Sequence, residues 1–231
     1  MSVQVTEILQ ELQAHADPAN RAGMARYGIA AEKAYGVKVP VLRKIAKAHR
    51  RQHELALALW ETGIHEARLL ATMIADPQQI TEAQIDAWVE DFNSWDIVDQ
   101  FCTNLLRHTP YAYPKVFAWC AREEEFVRRA AFSQIAVLAV HDKKAPDAQM
   151  EQFFPLIVAA ATDERNFVKK SVNWALRQIG KRNPALNAKA ITVAEQILEL
   201  DAASARWIAG DALRELRSEK IQTRLKAKVE K

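Results

Sequence analysis

The chain has 231 residues, a formal net charge of +3, 49% hydrophobic and 26% charged residues, and only six glycines. An all-β sandwich or barrel needs a turn signal every ~8–12 residues, and glycine normally reaches ~7%. So few glycines exclude an all-β fold and disfavour a doubly wound fold with a Gly-rich phosphate loop. No apolar run approaches the ~18 residues of a membrane span. The first residues lack a basic segment followed by an apolar one. Cys102 and Cys120 form neither a disulfide framework nor a metal-ligand pattern. The expectations are a reducing cytoplasm, no membrane, no metal and no cofactor.

The charge is uneven. Residues 1–110 hold 11 Lys/Arg against 14 Asp/Glu, whereas residues 111–231 hold 21 against 15. The basic second half suits a polyanionic partner.

Apolar positions recur at helical spacing along the chain. Val5, Ile8, Leu9 and Leu12 mark a first amphipathic helix, and Met24 and Tyr27 a second, shorter one. Pro40 opens a third, ahead of Val41, Leu42, Ile45 and Ala46. Helical segments then follow at 53–62, 65–76, 82–92, 95–107, 110–120, 124–141, 148–162, 165–180, 184–199 and 203–216. Asp76-Pro77, Thr109-Pro110, Ala145-Pro146 and Asn183-Pro184 punctuate them. About 12 to 14 helices and no strand are expected.

The helices repeat. Phe126-Val127-Arg128-Arg129 precedes Phe167-Val168-Lys169-Lys170 by 41 residues, and Ala175-Leu176-Arg177 precedes Ala212-Leu213-Arg214 by 37. Helix pairs at a period near 40 suggest HEAT-like repeats. Each pair buries its apolar face only by stacking on its neighbours. The expected architecture is an all-α, curved α-solenoid of HEAT-like helical repeats, forming one domain over residues 1–231. Its second helices would carry Arg128, Arg129, Lys169, Lys170 and Arg177 along a binding surface.

No P-loop, G-x-S-x-G, H-E-x-x-H or paired CxxC is present. His49 and His53 are four apart, but they lie in a polar stretch read as a solvated helix end. The segment Asn93-Ser94-Trp95-Asp96-Ile97-Val98-Asp99 stands out. Ser94 is a suitable N-cap. Asp96 falls in the first turn, where a carboxylate favours the helix dipole, and its loss should cost little more than that. Trp95 and Asp99 share one helix face. An Asp one full turn in gains little from the dipole and lowers helix propensity, so Asp99 is a functional candidate. Trp174, flanked by Lys169, Lys170 and Arg177, is a candidate base-stacking platform. It also fits as a core residue.

These motifs, in this order and spacing, resemble the AlkD-type DNA alkylation-repair glycosylases. The carrying residues are Trp95-Asp-x-x-Asp99, Arg128-Arg129-Ala130-Ala131 and Asn166-Phe-Val-Lys-Lys-x-x-x-Trp174-x-Leu-Arg177. Met24-Ala25-Arg26-Tyr27 and Gly36-Val37-Lys38-x-Pro40 precede them. The similarity runs over roughly residues 4–216. Ser94 stands where the best-known members have a second tryptophan. The resemblance implies a HEAT-like monomer that excises cationic alkylated purines, such as 3-methyladenine and 7-methylguanine, from double-stranded DNA. It implies catalytic roles for Trp95, Asp99 and Trp174, an active-site arginine at Arg129, and a place near the DNA for Tyr27 and Lys38.

The chemistry fits these residue types. Alkylation makes the base cationic, so it leaves neutral, and positive charge builds on the deoxyribose. A fixed carboxylate such as Asp99 stabilises that charge and can orient a water. Tryptophan faces attract a cationic nucleoside by ~0.5–2 kcal/mol each. Arg129, Lys38, Lys169, Lys170 and Arg177 suit backbone phosphates. Two alternatives stay open at this point: a non-catalytic solenoid that binds unusual DNA, and a protein-interaction scaffold.

Overall fold

A computed structural model describes residues 2–229, with side chains through residue 227. Among the described residues there are fifteen α-helices and no strand. They are α1 (Val3–Ala14), α2 (Pro18–Met24), α3 (Val39–Ala48), α4 (His53–Trp60), α5 (His65–Ile74), α6 (Glu82–Glu90), α7 (Trp95–Asn104), α8 (Pro114–Trp119), α9 (Glu125–His141), α10 (Asp147–Glu151), α11 (Phe154–Ala160), α12 (Asn166–Gly180), α13 (Pro184–Leu198), α14 (Ala203–Leu216) and α15 (Glu219–Val229). Single 3-10 turns occupy Ala25–Tyr27 and Leu106–His108.

Local chemistry explains many boundaries. Asp17 caps α2, its carboxylate accepting from the Asn20 N–H at 2.9 Å, with Pro18 in the first turn. Thr81 and Gln84 form a reciprocal capping box on α6. Asn183 accepts from the Leu186 N–H at 2.9 Å and caps α13 ahead of Pro184.

Four expectations need correction. Residues 110–113 are turn, and α8 starts only at Pro114, a residue that a helix accepts in its first turn. The segment 148–162 is two helices, α10 and α11, broken at Gln152 and Phe153. Pro155 has no N–H to continue the first helix, and its ring would strike the Glu151 carbonyl. The count exceeds 14 because α15 was missed. Among the residues whose side chains are described, its buried apolar positions are Ile221 and Leu225, one turn apart in a polar sequence. His53 is 6% exposed rather than solvated, and neither ring nitrogen has a partner among the described residues.

The helices fall into two compact units, one ending at Ala112 and one beginning at Tyr113. In the first, α5 packs on α4 and α7, and α3 packs on α5. Trp60 and Trp88 stack at 4.2 Å with near-parallel rings, and Phe92 and Phe101 pack against them. In the second, α9, α12 and α14 form a continuous row. Alongside it, α8 packs on α9, α11 on α12 and α13 on α14. The repeat seen in the sequence is a physical contact here: the rings of Phe126 and Phe167 lie 5.5 Å apart.

Polar links step between repeats, and their sequence separation differs between the two units. In the first unit, Trp60 to Asp91 and His65 to Asp96 each span 31 residues. Fully buried Glu66 accepts from the N–H groups of Tyr35, Gly36 and Val37. In the second unit the links are longer. Asn173 to Ile208 spans 35, Ser204 to Glu164 spans 40, and Arg182 to Ala139 spans 43. The first unit therefore has a shorter repeat than the period near 40 read from the second half.

Candidate functional site

Within the first unit, the site is built on the start of α7. Ser94 occupies the N-cap position in extended conformation, but its hydroxyl does not cap the helix. It donates instead to Asp96 Oδ1 at 2.8 Å, and the Ile97 N–H donates to the same oxygen at 3.0 Å. The other Asp96 oxygen is 2.8 Å from Nε2 of His65, a side chain only 5% exposed. Asp96 is thus a tie between α5 and α7, and the reading of Ser94 as a side-chain cap and Asp96 as a mere dipole partner is corrected. A carboxylate is a stronger acceptor than a hydroxyl, so Asp96 takes the first-turn donor and Ser94 serves Asp96.

That tie fixes the helix that presents Trp95 and Asp99. Both are half-buried and one turn apart on a single face. The Trp95 indole Nε1–H donates to the Tyr27 carbonyl at 2.8 Å, bringing the N-terminal segment to the start of α7. The Tyr27 ring itself is 71% exposed. Lys38 is exposed, with Nζ 3.5 Å from an Asp17 oxygen. The structure therefore unites Tyr27 with Trp95 and pairs Lys38 with Asp17.

The second unit holds Arg129 on α9, and Lys169, Lys170, Trp174 and Arg177 on α12. Six tryptophans occur, and burial sorts them. Trp60, Trp88 and Trp119 are core at 1–3% exposed. Trp95 and Trp174 are half-buried, and Trp207 is 42% exposed. Trp174 is therefore not a core residue. Lys170 is exposed, and Lys169 sits with Nζ 5.8 Å from the centre of the Trp207 ring.

Three arginines depart from the expected row of displayed cations. Arg129 is only 5% exposed and donates through Nη1 to the Phe167 carbonyl at 2.8 Å. The close packing of α9 on α12 encloses it. Arg177 lies 2.9 Å from Glu215 and 3.3 Å from Asp211, both on α14. Arg128 donates to the Cys120 carbonyl and to Asp163. Burial alone would raise the Asp163 carboxyl, but hydrogen bonds from Arg165 and the charges of Arg165 and Arg128 hold it below its ordinary value.

The sequence reading missed His65 and Trp207. The 31-residue step that joins Trp60 to Asp91 also joins His65 to Asp96, and that spacing was the available signal. No group of three or more His, Cys, Asp or Glu among the described residues is disposed to hold a metal ion. No helix among them is long and apolar enough to cross a membrane.

The sequence matches the family described as "DNA alkylation repair enzyme" over residues 8–218. The chain belongs to the DNA alkylation repair enzyme family. Among solved structures, this family member is similar to one described as "a new family of proteins related to the HEAT-like repeat DNA glycosylases with affinity for branched DNA structures". That match has a TM-score of 0.79 and 21% identity, and covers 95% of each chain. It is also similar to a predicted DNA alkylation repair enzyme from Enterococcus faecalis, with a TM-score of 0.62 and 19% identity, over 89% of this chain and 98% of that one. At such identities the likeness is one of fold, and the fold is that of HEAT-like repeats. No curated protein matches the sequence.

Proposed function

We propose that this DNA alkylation repair family member is a DNA glycosylase. It hydrolyses the N-glycosidic bond of cationic alkylated purines, 3-methyladenine and 7-methylguanine, in duplex DNA. The observation that carries the reading is the pairing of Trp95 and Asp99 on one half-buried face of α7, at a helix start tied down by Asp96 and His65. In the reaction the bond from C1′ to the base nitrogen breaks, and its electron pair neutralises the departing base. A water oxygen bonds to C1′ and loses a proton. Asp99 faces the developing sugar cation and orients that water. Trp95 in the first unit and Trp174 in the second each carry an aromatic face of the kind that attracts a cationic base. Tyr27, Lys38, Lys169 and Lys170 are accessible to DNA. Arg129 and Arg177 are assigned to holding α12, given their protein partners. The same reading has the chain work as a single-domain monomer in the cytoplasm, consistent with two free cysteines.

A second reading has a specific support. The relative described as having affinity for branched DNA structures shares this fold over 95% of its length. A chain of this kind could bind DNA without cutting it. Release of 7-methylguanine from methylated duplex DNA decides between them. Excision by the wild type that falls sharply in Asp99→Asn supports the glycosylase. Tight binding of a branched substrate with no release from either protein supports the binder.

A further inference from the structure

A cavity of about 580 Å³ opens in the second unit at the C-terminal ends of α9 and α12. Its lining includes Lys143, Lys181, Arg182 and Arg224, set against the carboxylate of Asp147. Arg182 is a fixed wall. Its guanidinium donates to the carbonyls of Ala139, Asp142 and Ala145 at 2.8, 2.9 and 3.0 Å, closing the end of α9. Lys181 Nζ is 2.9 Å from Glu215. Lys143 and Arg224 are exposed at the rim. Among the described residues neither has a carboxylate within ion-pair distance. Arg224 donates to the Lys181 carbonyl at 3.5 Å. Cations near helix C-termini are ordinarily explained by the macrodipole. Two half-charges do not call for four cations, and Arg182 already serves the end of α9.

The cavity is linked to the candidate stacking residue through Gln178. In the amide orientation that gives every group a partner, the Gln178 oxygen accepts from Trp174 Nε1 at 3.0 Å and from Lys181 Nζ at 3.3 Å. Gln178 is itself in the cavity lining. From Trp174 to Lys181 the axial distance is about 10 Å at 1.5 Å per residue, roughly three phosphates along one strand of a duplex. The first unit repeats the plan on its own helices. A cavity of about 420 Å³ at the C-terminal ends of α5 and α7 is lined by Arg50, Arg51, His108, Gln78 and Asn104.

We propose that the second-unit cavity binds phosphodiester groups of a DNA strand, with Lys143 and Arg224 as the phosphate contacts and Arg182 as its rigid floor. The proposal rests on the DNA reading above and adds a site beyond the residues assigned there. The test is the affinity of the full chain for a labelled duplex between 50 and 200 mM salt. Neutralising both contacts in Lys143→Ala/Arg224→Ala should flatten the log–log slope by about 1.8, so the affinity lost across that salt range shrinks about 12-fold. The charge-retaining pair Lys143→Arg/Arg224→Lys should keep the wild-type slope. A wild-type slope in the double-alanine protein overturns the proposal. It is equally overturned, in favour of a free-anion site, if that slope is unchanged while inorganic phosphate alone raises the melting temperature of the wild type and not of the variant. Absence of any salt-dependent DNA binding by the wild type overturns both this proposal and the glycosylase reading, whereas binding with an unchanged variant slope overturns this proposal alone.

Discussion

The indole of Trp95 donates to the backbone carbonyl of Tyr27 at 2.8 Å, across 68 residues of chain. The bond gives a residue at the first turn of α7 an anchor in the 3-10 turn that follows α2. It restrains the ring plane of the indole. Trp95→Phe keeps an aromatic face and removes the donor. The expected cost is about 0.5–1 kcal/mol, with faster amide hydrogen exchange over residues 25–28. Unchanged exchange there would remove the anchoring role.

The two aspartates of α7 should separate by phenotype. Asp99→Asn keeps shape and removes charge, and single-turnover excision of 7-methylguanine should fall by ~10²–10³, or about 2.7–4 kcal/mol. DNA affinity should hold or improve, since a carboxylate near phosphates repels them. Asp96→Asn should instead lower thermal stability by about 1–3 kcal/mol, because His65, Ser94 and the Ile97 N–H all lose a charged acceptor. An Asp96→Asn protein of wild-type stability would show that the tie to His65 is energetically empty.

Lys169 and Lys170 should contribute to DNA affinity irrespective of sequence. Lys169→Ala/Lys170→Ala should flatten the salt dependence by about one unit of log–log slope per lost contact. Lys169 also rests over Trp207. Its single substitution should therefore change the fluorescence of that exposed indole, whereas Lys170→Ala leaves it unaltered. An unchanged slope in the double variant takes both lysines off the contact surface.

Gln134 in the middle of α9 is fully buried, and neither end of its amide has a partner among the described residues. An unpaired buried amide costs ~1–3 kcal/mol. Gln134→Met has similar volume and no such penalty. The melting temperature should rise by about 2–4 °C for each kcal/mol recovered. A fall on calorimetry would show that the amide is hydrogen-bonded in solution and stabilises the fold.

Acid stability should depend on Asp163. Its carboxyl titrates below the ordinary value of 3.8, held there by Arg165 and Arg128 against the upward push of burial. Because the folded value is the lower one, its contribution is complete above the ordinary value and is lost as pH falls through the folded one. Asp163→Asn should destabilise the protein at neutral pH, and the gap to wild type should narrow as the pH falls below the ordinary value of 3.8. Urea midpoints measured along that range check this. A gap of constant size would assign the loss to hydrogen bonding rather than to charge.

Periodicity and composition alone determined that the chain is helical and repetitive, because apolar spacing and scarce glycine are local properties of the chain. They also selected Trp95 and Asp99, since residues four apart must share a helix face. The polar helix α15 was illegible because, among its described side chains, Ile221 and Leu225 alone mark its buried side. The break between α10 and α11 turned on a single proline within an apolar run. What each charged side chain does was decided by tertiary structure. Arg129, Arg177 and Lys170 look alike in the sequence, yet packing encloses the first, acids on α14 hold the second, and the third faces solvent. Likewise Asp96 reads as a helix-start carboxylate until the fold brings His65 to it from 31 residues away. A side chain's partners depend on which helices stack, and stacking is set by the summed burial of many apolar residues rather than by any local pattern.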